Sequence, residues 1–258
     1  MGELRMMTWN AWWRFGPVWV ARHELIAQTL RSVEPDVVAL QEVWGTGATD
    51  QVAALAAELG LHGAYAGPSY PPATDVPRDP RDARVEVGIG LLSRWEIVGW
   101  RVVPMPARHR LFDPVAVVAT VAHPDAPLHV VVACLEYDPA YNDDRLAQAG
   151  LLASLATDPA LDGPLPVVVA GDLNAPPGSP LLRPLSDLLT DAWVGDPTET
   201  TAPAEAGPEL VGERIDHVFF RPGMFNRPVT ATESWTVGDA VEGITPSDHR
   251  AVVCTLEF

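Results

Sequence analysis

Pro166-Val167-Val168-Val169-Ala170-Gly171-Asp172-Leu173-Asn174 is the stretch on which the fold turns. A short apolar run rich in β-branched residues, followed at once by glycine, reads as a buried strand. The run ends in two polar residues spaced two apart. On extended backbone Asp172 and Asn174 point to the same side. A carboxylate and an amide at the end of a buried strand suit the binding of a metal, a water or a phosphate. The same layout recurs along the chain. Gln41-Glu42 follows Val37-Val38-Ala39-Leu40, and Asn10 follows Met6-Met7-Thr8-Trp9. Asp216 precedes His217-Val218-Phe219-Phe220, and Ser247-Asp248-His249 precedes the last apolar run. An Asp beside Gly is by itself an ordinary turn residue. A lone His or Gln-Glu pair at a strand end is an ordinary solvated group. Their repetition at successive strand ends is what carries the argument.

Outward from these points the chain reads as α/β with mixed sheets. Further strands are expected at Val87 to Leu92, Ile97 to Val103, Val115 to Val121, Leu128 to Cys134, Leu165 to Ala170, Ile215 to Phe220 and Arg250 to Leu256. Leu25, Ile26, Thr29, Leu30 and Val33 share one face of a helix. Asp50 caps a second helix that ends at Gly60, a third runs from about Asp143 to Ala156, and a fourth starts with Ser179 as cap and Pro180 in its first turn. Gly67 to Pro80 and Asp196 to Gly212 are long irregular segments. Chemical residues lie on both sides of each, so neither reads as a domain linker.

The chain has 258 residues and is 47% hydrophobic, enough for a sizeable core. No apolar run approaches the ~20 residues needed to span a bilayer. Residues Met1 to Met7 lack the basic and apolar regions of a signal peptide, so a cytoplasmic protein without stable membrane association is expected. Cys134 and Cys254, the two cysteines, are expected to stay reduced. The formal net charge is −17, a poor basis for gripping duplex DNA. Every basic residue is Arg, which with the many Ala, Pro and Gly reads as the codon bias of a GC-rich bacterium. Between Arg78 and Arg110 seven Arg face four acidic residues, a net of +3 in an otherwise acidic chain. Arg78, Arg81 and Arg84 are therefore candidates to receive a compact anionic group; alternatively they only pair with Asp79 and Asp82.

The ordered set Thr8-Trp9-Asn10, Gln41-Glu42, Gly171-Asp172-Leu173-Asn174, Arg214-Ile215-Asp216 and Ser247-Asp248-His249 resembles the signature of the endonuclease/exonuclease/phosphatase superfamily. That group includes pancreatic-type DNases, apurinic endonucleases, neutral sphingomyelinases and inositol phosphate phosphatases. Leu91-Leu92-Ser93-Arg94 resembles its "LSR" strand, and Arg145 with Gln148 resembles its Arg-x-x-Gln. The resemblance spans Thr8 to His249. It implies a single domain over residues 1–258: two packed, mostly antiparallel or mixed β-sheets flanked by helices, a four-layer DNase-like sandwich. It also implies a hydrolase of phosphate esters dependent on Mg²⁺ (or Mn²⁺), without naming the substrate; the acidic charge favours a small or moderately sized phosphorylated one. In the implied roles, Glu42 is the principal metal ligand, supported by Asn10 and Asp248. Asp172 activates water, Asn174 holds a phosphate oxygen, and His249 donates to the phosphate while Asp216 orients it. Arg145 is implied at the substrate side.

One position departs from the pattern. The family has His, or in some members Tyr, near the end of the strand before the Arg-x-x-Gln helix, and here Cys134 stands in that place. A thiol is a weak donor. Tyr137 or Tyr141 is then the candidate to reach the phosphate, while Cys134 alternatively reads as a buried strand residue. Two other functions stay open: a DNase or repair endonuclease, and a binding protein whose catalysis is weakened by Cys134. The tryptophans near the first motifs, Trp9, Trp12, Trp13, Trp19 and Trp44, are expected to serve the core ahead of substrate contact.

Overall fold

The computed structural model describes residues 2–69, 82–109, 114–202, 210, 212–224 and 228–258. The elements follow in the order β1 (Glu3–Asn10), α1 (Trp19–Val33), β2 (Val37–Gly45), α2 (Gln51–Leu59), β3 (His62–Ala66), β4 (Glu86–Ser93), β5 (Ile97–Pro104), β6 (Val115–Val121), β7 (Leu128–Cys134), α3 (Asn142–Ala156), β8 (Val167–Asp172), α4 (Arg183–Ser186), β9 (Thr190–Asp191), β10 (Asp216–Arg221), β11 (Thr230–Val237) and β12 (Ala251–Glu257). They form two six-stranded sheets, ordered β11-β12-β1-β2-β4-β3 and β5-β6-β7-β8-β10-β9. Both are mixed: β1 and β2 are parallel, as are β7 and β8, and the other pairings are antiparallel.

Alternation of side chains along each strand builds the layers. One face of each buried strand supplies the core between the sheets, among them Leu4 and Met6, Val37 and Ala39, Ile89 and Leu91, Val130 and Val132, Val168 and Ala170, Val218 and Phe220. The other face of the first sheet packs Met7, Leu40 and Val253 against Ile26, Leu30, Val52 and Leu55 of α1 and α2. The other face of the second sheet packs Val131, Val169 and Phe219 against Leu152, Ala156 and Leu185 of α3 and α4. Each such aliphatic side chain, fully buried, stabilises the fold by roughly 1.5–3 kcal/mol. The result is helix, sheet, sheet, helix, with the DNase-like layering that the resemblance implies.

The helix signals act as read. The Asp50 carboxylate accepts from Ala53 N at 2.7 Å, and Gly60 ends α2 in the left-handed region at φ 68°. Ser179 accepts from Leu181 N, but the turn it caps is a 3-10 turn at Pro180–Leu182, which leads into the short α4. On α1 the buried stripe is Arg22, Ile26, Ala27 and Leu30, shifted from the apolar face the sequence suggests by inclusion of a charged residue.

Three strands escape the sequence reading. In β3, His62-Gly63-Ala64-Tyr65-Ala66 has no β-branched residue; it forms because β4 offers a partner edge, and Gly90 permits close approach to Val52 and Ala64. β9 is two residues long. β11 is a polar edge strand whose Thr230, Thr232 and Glu233 face solvent, so it lacks the apolar alternation that marks a strand. Most of Gly67 to Pro80, including Arg78, and also Arg81, Arg110, residues 203–209 and residue 211 lie outside the described residues.

The inward stripes turn polar at one common end. Leu4 and Met6 lead to Thr8 and Asn10, Val37 and Ala39 to Gln41, and Val168 and Ala170 to Asp172. Asp216, which starts β10, is the register partner of Asp172, and Cys134, which ends β7, is its partner on the other side. Thr8 Oγ1 donates to Gln41 Oε1 at 3.2 Å across β1 and β2. A polar patch is thereby carried by both sheets at the mouth of their shared core.

Candidate active site

Asp172 is placed by the last residues of a buried strand. β7 and β8 approach so closely there that a Cβ at Gly171 would collide with the Ala133 carbonyl, so glycine is required before Asp172. Asp172 Oδ1 accepts from the backbone N of Asn174 at 3.0 Å, an Asx turn that bends the chain out of the strand. Asn174 sits in the left-handed region at φ 50°, which Asn tolerates better than most residues. Its Nδ2 donates to Leu135 O at 3.0 Å, tying the turn to the end of β7.

Asn10 joins the two sheets. Its Nδ2 donates to Glu42 Oε1 at 3.1 Å and to Asp172 Oδ2 at 3.1 Å. Glu42 leaves the alternation of β2 at a register shift between Leu40 and Val43, with φ 50°. That bulge re-aims its carboxylate toward the patch. The last motif is pinned to β1: Ser247 Oγ donates to Asn10 O at 2.6 Å and also lies 3.3 Å from Asp248 Oδ1, and Trp9 Nε1 donates to His249 O at 3.0 Å. His249 Nδ1 then meets Asp216 Oδ2 at 3.0 Å, and its Nε2 lies 3.8 Å from Asp172 Oδ2.

Charge crowds this site. Burial, then the charge of Asp248, pushes Glu42 up to about 7. Burial and the neighbouring Asp216 push Asp172 up to about 6, and burial raises Asp248. Burial alone pulls His249 down, but Asp216 and Asp172 hold it well above its ordinary range, so the ring is an imidazolium donating through Nδ1–H to Asp216. Ligand atoms of Asp172, Asp216 and His249 lie within 4.8 Å of one another. Asp216 Oδ1 is buried without a hydrogen bond. Four carboxylates facing one imidazolium form a hard oxygen-donor set with excess negative charge, which suits a divalent cation such as Mg²⁺ or Mn²⁺. A second acidic group, His109, Asp143 and Asp144, is already occupied by Arg108, which reaches the two carboxylates at 2.6 and 3.1 Å.

The seven residues Asn10, Glu42, Asp172, Asn174, Asp216, Asp248 and His249 thus come together. The others are placed differently. Arg145 is buried on α3, and its Nε donates to Glu136 O at 2.5 Å; Gln148 Oε1 accepts from Glu136 N at 2.8 Å. These two bonds tie α3 to the segment after β7. Tyr137 is exposed just beyond it, and Tyr141 stacks on His109 at 4.7 Å. Arg84 is exposed ahead of β4. Trp9, Trp13 and Trp44 are buried.

Cys134 is 5% exposed, packed in the inter-sheet core beside Asp172. Both cysteines are free. Burial, then the charges of Asp172, Glu42 and Asp216, drives the Cys134 thiol well above its ordinary range, so it stays protonated, and its S–H is directed at Leu135 O at 3.9 Å. Cys134→His is expected to raise turnover on a simple phosphodiester, and to cost about 1–3 kcal/mol of stability because the larger ring overpacks the core. Unchanged turnover in a folded variant, by steady-state assay with thermal unfolding, would show that the site makes no use of this position.

Arg22 is the site neighbour that the sequence reading misses. An Arg within an amphipathic helix reads as solvated, yet Arg22 falls four residues before Ile26, on the buried stripe.

Comparison with known proteins identifies the family and the fold. The model of the Endonuclease/Exonuclease/phosphatase family matches residues 7–249. No curated protein matched the chain. Among solved structures, the catalytic domain of human Nocturnin with a bound sulfate anion is 20% identical with a TM-score of 0.76, over 99% of this chain and 94% of that one. TDP2 of D. rerio complexed with single strand DNA product is 18% identical with a TM-score of 0.75, over the whole of both chains. An endonuclease/exonuclease/phosphatase from Beutenbergia cavernae is 26% identical with a TM-score of 0.74, over 99% of this chain and 72% of that one. Members of the matched family are in general metal-dependent hydrolases of phosphoesters. The chain, matched over nearly its whole length, belongs to the endonuclease/exonuclease/phosphatase family.

Proposed function

We propose that the chain, as one domain over residues 1–258, is a divalent-metal-dependent hydrolase of a small or moderately sized phosphate ester. The observation that carries this reading is Asn10, whose one amide nitrogen bridges Glu42 and Asp172 while the His249–Asp216 pair lies against the same Asp172. Glu42 would hold the cation, supported by Asn10 and Asp248. A bound Mg²⁺ or Mn²⁺ supplies Lewis-acid neutralisation of charge on the phosphoryl oxygens. Asp172, fixed by donors on both oxygens, orients the attacking water and accepts its proton as the new P–O bond forms. The bond to the leaving oxygen breaks, and that oxygen takes a proton from solvent. His249 donates from Nε2 to a non-bridging phosphoryl oxygen, and Asp216 holds the ring in place and charged. Asn174, beside Asp172, would contact a phosphoryl oxygen, and Arg84, exposed ahead of β4, is the proposed partner of an anionic group of the substrate.

A nuclease reading draws on the single strand DNA product bound to D. rerio TDP2. Net charge −17 disfavours a long duplex. No helix among the described residues is long and apolar enough to cross a membrane. The test compares a small phosphodiester with duplex DNA at low and moderate salt. Hydrolysis of the small ester is expected to exceed duplex cleavage at both. Efficient duplex cleavage with a steep salt slope, about −0.9 per phosphate neutralised, would favour the nuclease instead.

A further inference from the structure

We propose that Arg22 is a positioning residue of the cation site, acting through the turn after β1 to fix which way the Asn10 amide points. The inference rests on the reading that Glu42 and Asn10 take part in holding a divalent cation.

Arg22 is buried, and its guanidinium is spread over four backbone carbonyls of one turn. Nε donates to Pro17 O at 3.3 Å and Nη1 to Ala11 O at 3.3 Å. Nη2 donates to Trp12 O at 3.3 Å and Trp13 O at 2.8 Å, and the group lies 4.6 Å above the Trp12 ring. This turn holds three non-glycine residues in the left-handed region: Trp12 at φ 56°, Trp13 at 28° and Val18 at 51°. Such conformations persist only where surrounding bonds over-determine them, and each costs on the order of 1–3 kcal/mol. The planar fork of Arg22 supplies that determination.

The turn in turn holds the site. Trp12 N donates to Asn10 Oδ1 at 2.9 Å, and Trp13 N donates to Glu42 O at 2.7 Å. An amide whose oxygen accepts from Trp12 must present its nitrogen to Glu42 and Asp172, as observed. Were the turn to relax, the amide could flip and set its oxygen against both carboxylates. Arg22 thus specifies a donor where a donor is needed, at one remove from the chemistry. Its charge also acts on Asp248 and Glu42, and burial, opposed by those two carboxylates, brings its own pKa down to about 10.

Charge and positioning predict opposite signs, which makes the proposal testable. Deleting a positive charge beside two carboxylates tightens a cation; losing the Asn10 orientation weakens it. The chelator-stripped full chain is titrated with Mn²⁺ and the free ion is read by electron paramagnetic resonance, beside thermal unfolding. Arg22→Met is expected to weaken Mn²⁺ by roughly 10–100-fold, the scale of groups that orient metal ligands. In an Asn10→Ala background the same change should add less than about threefold, because both act through one amide. Tighter or unchanged Mn²⁺ binding in Arg22→Met, or losses that multiply in the double variant, would overturn the proposal. If Arg22→Met does not fold, Arg22→Lys replaces it: an ammonium has three donors for four carbonyls, so a loss of about threefold or more is expected, and native affinity overturns the inference. Failure of the native chain to bind Mn²⁺ at all would instead overturn the reading of the site on which it rests.

Discussion

Asp172→Asn is expected to lower turnover by about 10²–10⁴-fold, the range a positioned general base contributes. The geometry makes this substitution informative. Asp172 accepts from Asn10 on one oxygen and from Asn174 on the other. An amide in its place cannot accept on both sides, so one of those donors faces another donor, which costs roughly 1–3 kcal/mol if buried and unsatisfied. Against that, a carboxylate held high by burial and by Asp216 is removed from a crowded cluster. The two effects oppose, so the fold should survive while the base is lost. The loss belongs in kcat with KM little changed, because substrate contacts persist. Full turnover in a folded Asp172→Asn protein would show that another group activates the water.

His249→Gln carries the next largest effect, a loss of about 10²–10³-fold in kcat, the scale of removing one donor aimed at developing negative charge. The imidazolium is secured from two directions: its backbone carbonyl accepts from Trp9, and Nδ1 donates to Asp216. Asp216→Asn leaves an acceptor in place but removes the charge that keeps the ring protonated, so its loss should be smaller and should deepen as pH rises. The sign follows from the linkage: Asp216 raises His249 above its ordinary range, so without it the ring deprotonates at lower pH. If the two residues act as one unit, the double variant should be little worse than His249→Gln alone. Multiplying losses, read from single-turnover kinetics, would separate the pair.

Much of this site is legible from sequence because it lies at strand ends. Asp172, Asp216, Glu42, Asn10 and His249 each interrupt or flank a run whose apolar alternation can be read directly, and the fold brings those ends together. The strands with such runs, β6 and β7, fall where the pattern places them. What stays hidden has physical causes. β3 and β11 are strands because a neighbour offers an edge, not because of their own composition. The Asn10 bridge depends on a register between sheets that no local pattern encodes. Arg22 is hidden because burial of a cation depends on four carbonyls contributed by a turn of left-handed residues. Arg145 belongs to a recognisable pair, yet its bond to the Glu136 carbonyl depends on the path of the chain after β7, which the motif alone does not encode.

We propose that the polar patch at the mouth of the inter-sheet core holds a divalent cation and hydrolyses phosphate esters. Its most direct test is hydrolysis of bis(p-nitrophenyl) phosphate by the full chain with Mg²⁺, with Mn²⁺, with excess EDTA, and with the cation restored, each beside Glu42→Ala. Turnover with either cation, loss in EDTA, recovery on restoration, and a much higher cation requirement in Glu42→Ala are expected. Turnover that persists unchanged in EDTA, or a cation requirement that Glu42→Ala leaves untouched, would contradict it.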